Sequence, residues 1–283
     1  MTRKLLPILF LIIIFSCDKN DDPQPEAPLA ALEMTNLTYG SGSEQQIDVF
    51  LPEGRNLSDT PLILYIHGGG WIQGSKEEFL PFKSSMNTLL PGYAFASINY
   101  SLFDISTSEN PFPTQENDVI DAIEFIERMK ADWDVEGGLI LVGASAGGHL
   151  ALLHAYKHQE IGDIQSVAVL FPPTELSELF ESDNTAALLL SALLEGTPES
   201  NPILYKESSP VNYISPNSVP SIFFHGDQDM VVPISQSELL ANTLQENGVI
   251  YEYQKIPGEG HGFLPETYPS VLTAAAEFIL ENQ

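Results

Sequence analysis

Most of what this chain can fold into is decided between Leu139 and His158. Leu139-Ile140-Leu141-Val142 is a short apolar run that passes straight into Gly143-Ala144-Ser145-Ala146-Gly147-Gly148, and helical spacing then continues to His158. An apolar strand entering a helix through a turn of small residues is the setting of a sharp strand-to-helix elbow. Side chains crowd such a turn, so Gly143, Gly147 and Gly148 flank the one functional side chain, Ser145. The geometry lifts the Ser145 hydroxyl to the carboxyl end of a sheet, with a helix N-terminus behind it.

The rest of the chain repeats the same alternation. Ile47 to Leu51 alternates and stops at Pro52, which predicts an early antiparallel strand. Leu62 to Ile66, Ala94 to Asn99, Leu139 to Val142, Val167 to Phe171, Ser221 to Phe224 and Ile250 to Gln254 read as buried strands. Lys76 to Leu90, Glu116 to Ala131, Ala146 to His158, Ser235 to Asn247 and Pro269 to Glu281 carry helical spacing. The pattern predicts an α/β fold with a mostly parallel central sheet, helices on both faces and a small insertion after the sixth strand. That insertion, Thr174 to Lys206, is leucine-rich at Leu188 to Leu190 and at Leu193-Leu194. It reads equally as a cap over a site and as helices packed on the sheet edge.

Residues 1–16 read as an export signal. Arg3 and Lys4 precede the apolar run Leu5 to Phe15, which is too short to span a bilayer comfortably. Cys17, the only cysteine, follows the small residue Ser16, a pattern that resembles the lipobox of bacterial lipoproteins and predicts lipidation at Cys17. The alternative is a buried free thiol inside a plain secretory signal. Residues 17–31, acidic and proline-rich, read as a flexible tether, and residues 32–283 as one domain without internal repeats. The expected location is the bacterial cell envelope, with a lipid anchor on the membrane.

Charge removes one class of partner. With 11 Lys+Arg against 39 Asp+Glu the formal net charge is −28, and no basic cluster offers phosphate contacts, so nucleic acid is not a partner. Acidic polysaccharides are disfavoured for the same reason, whereas neutral polymers and small esters are not.

A serine hydroxyl is nearly inert at neutral pH and needs a base, plus a group to orient that base. His261 sits in Gly258-Glu259-Gly260-His261-Gly262, a glycine-flanked loop after the last strand. The orienting acid is Asp229, in His225-Gly226-Asp227-Gln228-Asp229, just past the seventh strand; Asp227 is its rival, with a turn-capping role as its other reading. The order Ser145, Asp229, His261 is the one found in α/β-hydrolases. An oxyanion formed on acyl transfer needs backbone donors. His67-Gly68-Gly69-Gly70-Trp71 can turn its amides inward, which assigns Gly69 and Gly70, with Ala146 supplying the donor after the serine. Trp71 either lines a substrate pocket or packs beneath this turn. His67 and His225 read as loop-holding, His149 as packing beside the elbow. His154 and His158 are spaced i, i+4, but no helical carboxylate completes a ligand set, so neither metal nor cofactor is expected.

With these residues placed, the chain resembles the α/β-hydrolase esterases that carry an HGGG oxyanion turn, the hormone-sensitive-lipase-like and feruloyl or acetyl-xylan esterase group, in a lipoprotein form. The likeness runs from about Gln45 to Gln283 and includes Ser97-Ile98-Asn99-Tyr100, Phe112-Pro113-Thr114-Gln115 with Asp118, and Gly143 to Leu150. Relatives commonly place Arg after the Asn-Tyr pair; Ser101 stands here. The resemblance implies a serine carboxylic-ester hydrolase without cofactor, acting through an acyl-enzyme on short-chain or carbohydrate-linked esters of acetyl or feruloyl type. A prolyl-oligopeptidase-like peptidase and an aryl-formamidase share parts of the pattern. A non-catalytic lipid-anchored binding protein is the reading from another class.

Overall fold

The computed structural model describes residues 27–283. The signal, Cys17 and most of the tether lie outside the described residues. Eight strands form one sheet: β1 (Leu32–Thr38), β2 (Gln46–Leu51), β3 (Leu62–Ile66), β4 (Ala94–Ile98), β5 (Leu139–Ala144), β6 (Ile164–Leu170), β7 (Ser221–Gly226) and β8 (Tyr251–Ile256). Their order is β1-β2-β4-β3-β5-β6-β7-β8. Only the β1–β2 and β2–β4 pairs are antiparallel; every pair from β4 to β8 is parallel.

Eight α-helices connect the strands: α1 (Leu80–Leu89), α2 (Thr114–Trp133), α3 (Ala146–Lys157), α4 (Leu176–Ser182), α5 (Asn184–Leu193), α6 (Pro202–Glu207), α7 (Ser235–Asn247) and α8 (Tyr268–Glu281). Strand periodicity sorts the core into two layers. Leu62, Leu64 and Ile66 of β3 and Leu139 and Leu141 of β5 pack with α2, α3 and α7. Ile63 and Ile140, one residue out of phase, pack with Met86 of α1 and with Val271, Ala275 and Ile279 of α8. Burying such side chains contributes about 1.5–3 kcal/mol each, so truncating Leu141 or Leu64 to alanine costs roughly 2–5 kcal/mol.

Several expectations shift. Leu32–Thr38 pairs as an additional edge strand, half-exposed along its length, so it lacks the apolar run that marks the inner strands. Ile250 to Gln254 is not a buried strand; β8 is the opposite edge, and only one face of it is covered. Lys76 to Leu90 divides into a 3-10 turn, Lys76–Phe79, and α1, because Pro81 in the first turn of α1 has no N–H to continue a single ladder. The end of the tether is tied down. Leu29 O accepts from Gly54 N at 2.8 Å, and Ala30 O accepts from Arg55 Nη1 at 2.5 Å.

The insertion after β6 forms α4, α5 and α6. Leu176, Leu179, Leu190, Leu193 and Leu194 enter the core layer that contains α2 and α3. Leu193 O accepts from Phe112 N at 3.0 Å, and Thr174 N donates to Gln236 Oε1 at 2.7 Å, so the segment is fastened at both flanks. Its α5 also reaches over the sheet's carboxyl end. Leu189 Cδ2 stands 3.6 Å from where a Cβ on Gly70 would lie. Among the described residues no helix is long and apolar enough to cross a membrane.

Candidate active site

Ser145 occupies the tip of the elbow between β5 and α3, with φ 52° and ψ −122°. This backbone conformation is strained for any residue with a Cβ, and the close packing around it holds it in place. A Cβ on Gly147 would come within 2.1 Å of Ile66 O, and one on Gly143 within 2.4 Å of Gly147 O. The glycines are there because neighbouring main chains leave no space for a side chain.

Three loops converge on the serine. His261 Nε2 lies 2.9 Å from Ser145 Oγ, and His261 Nδ1 lies 2.8 Å from Asp229 Oδ2. Asp229 Oδ1 accepts from the amides of Val231 at 2.8 Å and Val232 at 2.9 Å. Burial pulls the Asp229 carboxyl up, but the hydrogen bonds from His225, His261 and the Val231 amide outweigh it and hold the group well below the usual carboxylate range. The acid therefore stays ionised and keeps the proton of His261 on Nδ1, leaving Nε2 free to accept from the serine. Phe171 packs against the His261 ring with centroids 4.6 Å apart, limiting its swing.

Gly69 and Gly70 adopt φ 99° and 61°, and Gly68 passes close enough to the elbow that a Cβ there would meet Ala144 O at 2.9 Å. Among the described residues no backbone oxygen accepts from the Gly69, Gly70 or Ala146 amides. Gly68, Gly69, Gly70, Ser145 and His261 together line one wall of a cavity of about 800 Å³. A nucleophile, a base, an acid and spare amide donors around one cavity can carry out acyl transfer through a tetrahedral intermediate.

The remaining histidines serve the frame. His149 Nε2 donates to Ser208 O at 2.7 Å, and its Nδ1 accepts from Trp71 Nε1 at 3.3 Å. Trp71 is 3% exposed and absent from the cavity wall. Of its two readings the structure supports packing beneath the glycine turn and corrects the substrate-binding one. His67 Nδ1 donates to Gly68 O at 2.8 Å while its ring stacks on Tyr100 at 4.2 Å, fixing the start of the turn. His158 Nε2 meets Glu116 Oε1 of α2 at 2.7 Å, and His154 Nε2 donates to Ile161 O at 3.0 Å. Among the described residues no group of three or more His, Cys, Asp or Glu is arranged to hold a metal ion.

A family model matches residues 47–244, a span that runs from β2 through the elbow and Asp229 into α7. The chain belongs to the BD-FAE family. Among curated relatives, Esterase LipQ of Mycobacterium tuberculosis is 29% identical over 90% of this chain and 63% of its own length. Esterase LipC of the same organism is 23% identical over 80% of this chain and 59% of its length. The chain thus spans about six-tenths of the length of these two relatives. Among solved structures, a truncated carbohydrate esterase from gut microbiota superposes with TM-score 0.76 at 21% identity, covering 89% of this chain and 96% of that one. A bifunctional GH43-CE protein of Bacteroides eggerthii gives TM-score 0.75 at 24% identity, over 88% of this chain and 38% of its own. These likenesses carry the α/β-hydrolase fold.

Within this BD-FAE chain the structure brings Ser145, His261 and Asp229 together in series. Asp227 does not join them: its Oδ1 accepts from Gly258 N at 2.8 Å, tying the acid loop to the base loop. Ser101, standing where relatives commonly place arginine, donates its amide to Asp118 Oδ2 at 2.6 Å, and Gln45 Nε2 donates to Asp118 Oδ1 at 2.7 Å. That buried carboxylate is therefore satisfied without an arginine. Sequence reasoning missed the contact of His225 with Asp229, at 3.2 Å between Nε2 and Oδ2. The i, i+4 spacing of the two residues was the only available signal.

Proposed function

We propose that this BD-FAE chain is a serine carboxylic-ester hydrolase. Ser145 Oγ attacks the ester carbonyl as its proton passes to His261 Nε2, giving a tetrahedral oxyanion that faces the Gly69, Gly70 and Ala146 amides. Collapse breaks the bond to the alkoxy oxygen, which takes the proton from His261 and leaves as the alcohol. Water then attacks the acyl-Ser145 carbonyl, giving its proton to His261, and the acid departs with Ser145 restored. Asp229 holds the His261 tautomer and stabilises the imidazolium in both halves. The observation that carries the reading is the 2.9 Å and 2.8 Å pair of contacts linking Ser145, His261 and Asp229 at the wall of the cavity.

The neighbour called a carbohydrate esterase supports carbohydrate-linked esters as substrates; the short-chain, acetyl and feruloyl types are those the sequence resemblance implies. Lipid anchoring at Cys17 in the bacterial envelope belongs to the same proposal and rests on the sequence pattern; metabolic labelling with palmitate tests it against a Cys17→Ala variant. The catalytic reading is tested with a chromogenic acetate ester. Turnover by the wild type and its loss in Ser145→Ala support it, and equal turnover by the two proteins overturns it.

A further inference from the structure

His261 stands in a loop whose backbone is not held by packing alone. Around Gly258 and Gly262, at φ 80° and 90°, nothing lies within 4 Å of where a Cβ would be. The one neighbour of Gly260 in that range is Gln228 O, at 3.7 Å. Three glycines between Gly258 and Gly262 leave this stretch more conformational freedom than any other residues would. An effective base must nevertheless keep its Nε2 within hydrogen-bond reach of Ser145 Oγ, and a misplacement of about 1 Å costs about a hundredfold in rate.

What fastens the loop is polar. Gly258 N donates to Asp227 Oδ1, but that contact is open to solvent, where water competes for both partners. Gln228 N donates to Glu259 O at 2.9 Å, which fixes one side of the loop. Glu259 itself turns inward and is 6% exposed. Its Oε2 accepts from Leu264 N at 2.9 Å, and its Oε1 accepts from the Thr267 hydroxyl. The side chain therefore reaches across His261, joining the stretch before it to the stretch after it. Thr267 directly precedes α8, whose Val271, Ala275 and Ile279 are embedded in the core. Phe263, inside the closed segment, is buried against Phe171 with ring centroids 5.3 Å apart. A carboxylate is costly to bury unless its oxygens are hydrogen-bonded. Both oxygens are used here on one loop, in charge-assisted bonds that are stronger than neutral ones.

We infer that Glu259 is a positioning residue for ester hydrolysis: by closing the loop between Gly258 and Thr267 it holds His261 in place between Ser145 and Asp229. The inference rests on the ester-hydrolase reading. Glu259 is absent from the cavity wall and acts through His261. Phe171 limits the swing of the imidazole ring, and Glu259 limits the main chain that carries the ring. The role is geometric, so the two hydrogen bonds matter and the charge does not.

The test compares Glu259→Ala with Glu259→Gln on a chromogenic acetate ester and on methyl ferulate, well below the melting midpoint of each variant. Glu259→Ala removes both contacts and is expected to lower kcat about ten- to a hundredfold, with KM within about threefold of the wild type. Glu259→Gln loses the charge but can accept from Leu264 N and donate to Thr267 Oγ1, so its kcat is expected to stay within about threefold. Thr267→Val keeps the shape and removes one contact. Its kcat is expected to fall about three- to tenfold, which still decides the matter if Glu259→Ala does not fold. Carbon-13 relaxation at His261 Cε1, assigned with His261→Ala, reads the order of the ring without turnover; the order is expected to fall in Glu259→Ala and to be kept in Glu259→Gln. An unchanged kcat in Glu259→Ala or Thr267→Val, equal losses in the alanine and glutamine variants, or a ring as ordered in Glu259→Ala as in the wild type overturns the inference. A wild type that turns over no ester, with a ring still freed by Glu259→Ala, overturns the hydrolase reading and leaves the anchoring by Glu259 standing.

Discussion

His225 and Asp229 meet at 3.2 Å through Nε2 and Oδ2, so the acid that orients His261 is itself held by a second, fully buried imidazole. The same His225 Nε2 lies 2.9 Å from Val232 O, and Nδ1 faces Ser237 Oγ at 2.7 Å. A neutral ring protonated on Nε2, accepting from Ser237, satisfies all three partners. His225 is thus a positioning residue. His225→Ala is expected to lower kcat by about ten- to a hundredfold with little change in KM, and His225→Gln, which keeps an N–H donor, is expected to recover part of the loss. Equal losses in both variants would leave His225 a merely structural role.

Asp229→Asn tests the tautomer argument. The amide keeps the shape but offers His261 Nδ1 a donor as readily as an acceptor, which lets the ring proton move to Nε2 and blocks proton transfer from Ser145. Activity on a chromogenic ester is expected to fall about 10⁴-fold. A loss below tenfold would show that the acid contributes only packing.

Acid stability follows from three buried rings. Burial pushes His67, His149 and His154 each down to about 4, against the opposing pull of the carbonyls they donate to. His67 Nε2 and His154 Nδ1 have no hydrogen-bond partner among the described residues, so a proton there would be unpaired. The unfolded chain binds these protons first, near pH 6.5, so stability is complete above that pH and is lost as pH falls from about 6.5 to about 4. The Asp229 carboxyl is shifted in the same direction, its folded pKa also lying below its unfolded one. Its contribution is present above about pH 4 and lost only on further acidification. Thermal melts across pH 4–7 are expected to show a steady fall, flatter in His154→Gln, which keeps a donor for Ile161 O without titrating. A wild-type melt flat across that range would contradict the assignment.

The glycines near the active site differ in what they tolerate. A Cβ on Gly147 would lie 2.1 Å from Ile66 O and 2.4 Å from His67 O, both main-chain atoms. Gly147→Ala is expected to destabilise by about 3 kcal/mol or more, or to prevent folding. Gly262 faces open space at φ +90°, so Gly262→Ala meets only backbone strain of about 1–2 kcal/mol. Denaturant melts that rank the two variants the other way would refute this account of the elbow.

Legibility in the sequence tracked local physics. β3 was readable to the residue because Leu62 to Ile66 is an unbroken apolar run buried on both faces, and α7 because Ser235 to Asn247 keeps its period up to Gly248. β1 was not, since it mixes polar and apolar residues on a mostly exposed edge; β8 was readable as a strand but not as an edge, because its covered face alone carries the apolar signal. Ser145 and His261 could be picked out because small residues flank them in loops after strands, and Asp229 because it follows the end of β7. The direction of Trp71 could not, since it depends on His149, seventy-eight positions away, as its indole acceptor.

The central claim is that His261 activates Ser145 as a nucleophile, and covalent labelling addresses it most directly. After treatment with a fluorophosphonate, intact-mass and peptide mass spectrometry are expected to show one adduct, on Ser145, formed at least about 10³-fold more slowly in His261→Ala. An adduct on another residue, or labelling of Ser145 at the same rate without His261, would contradict it.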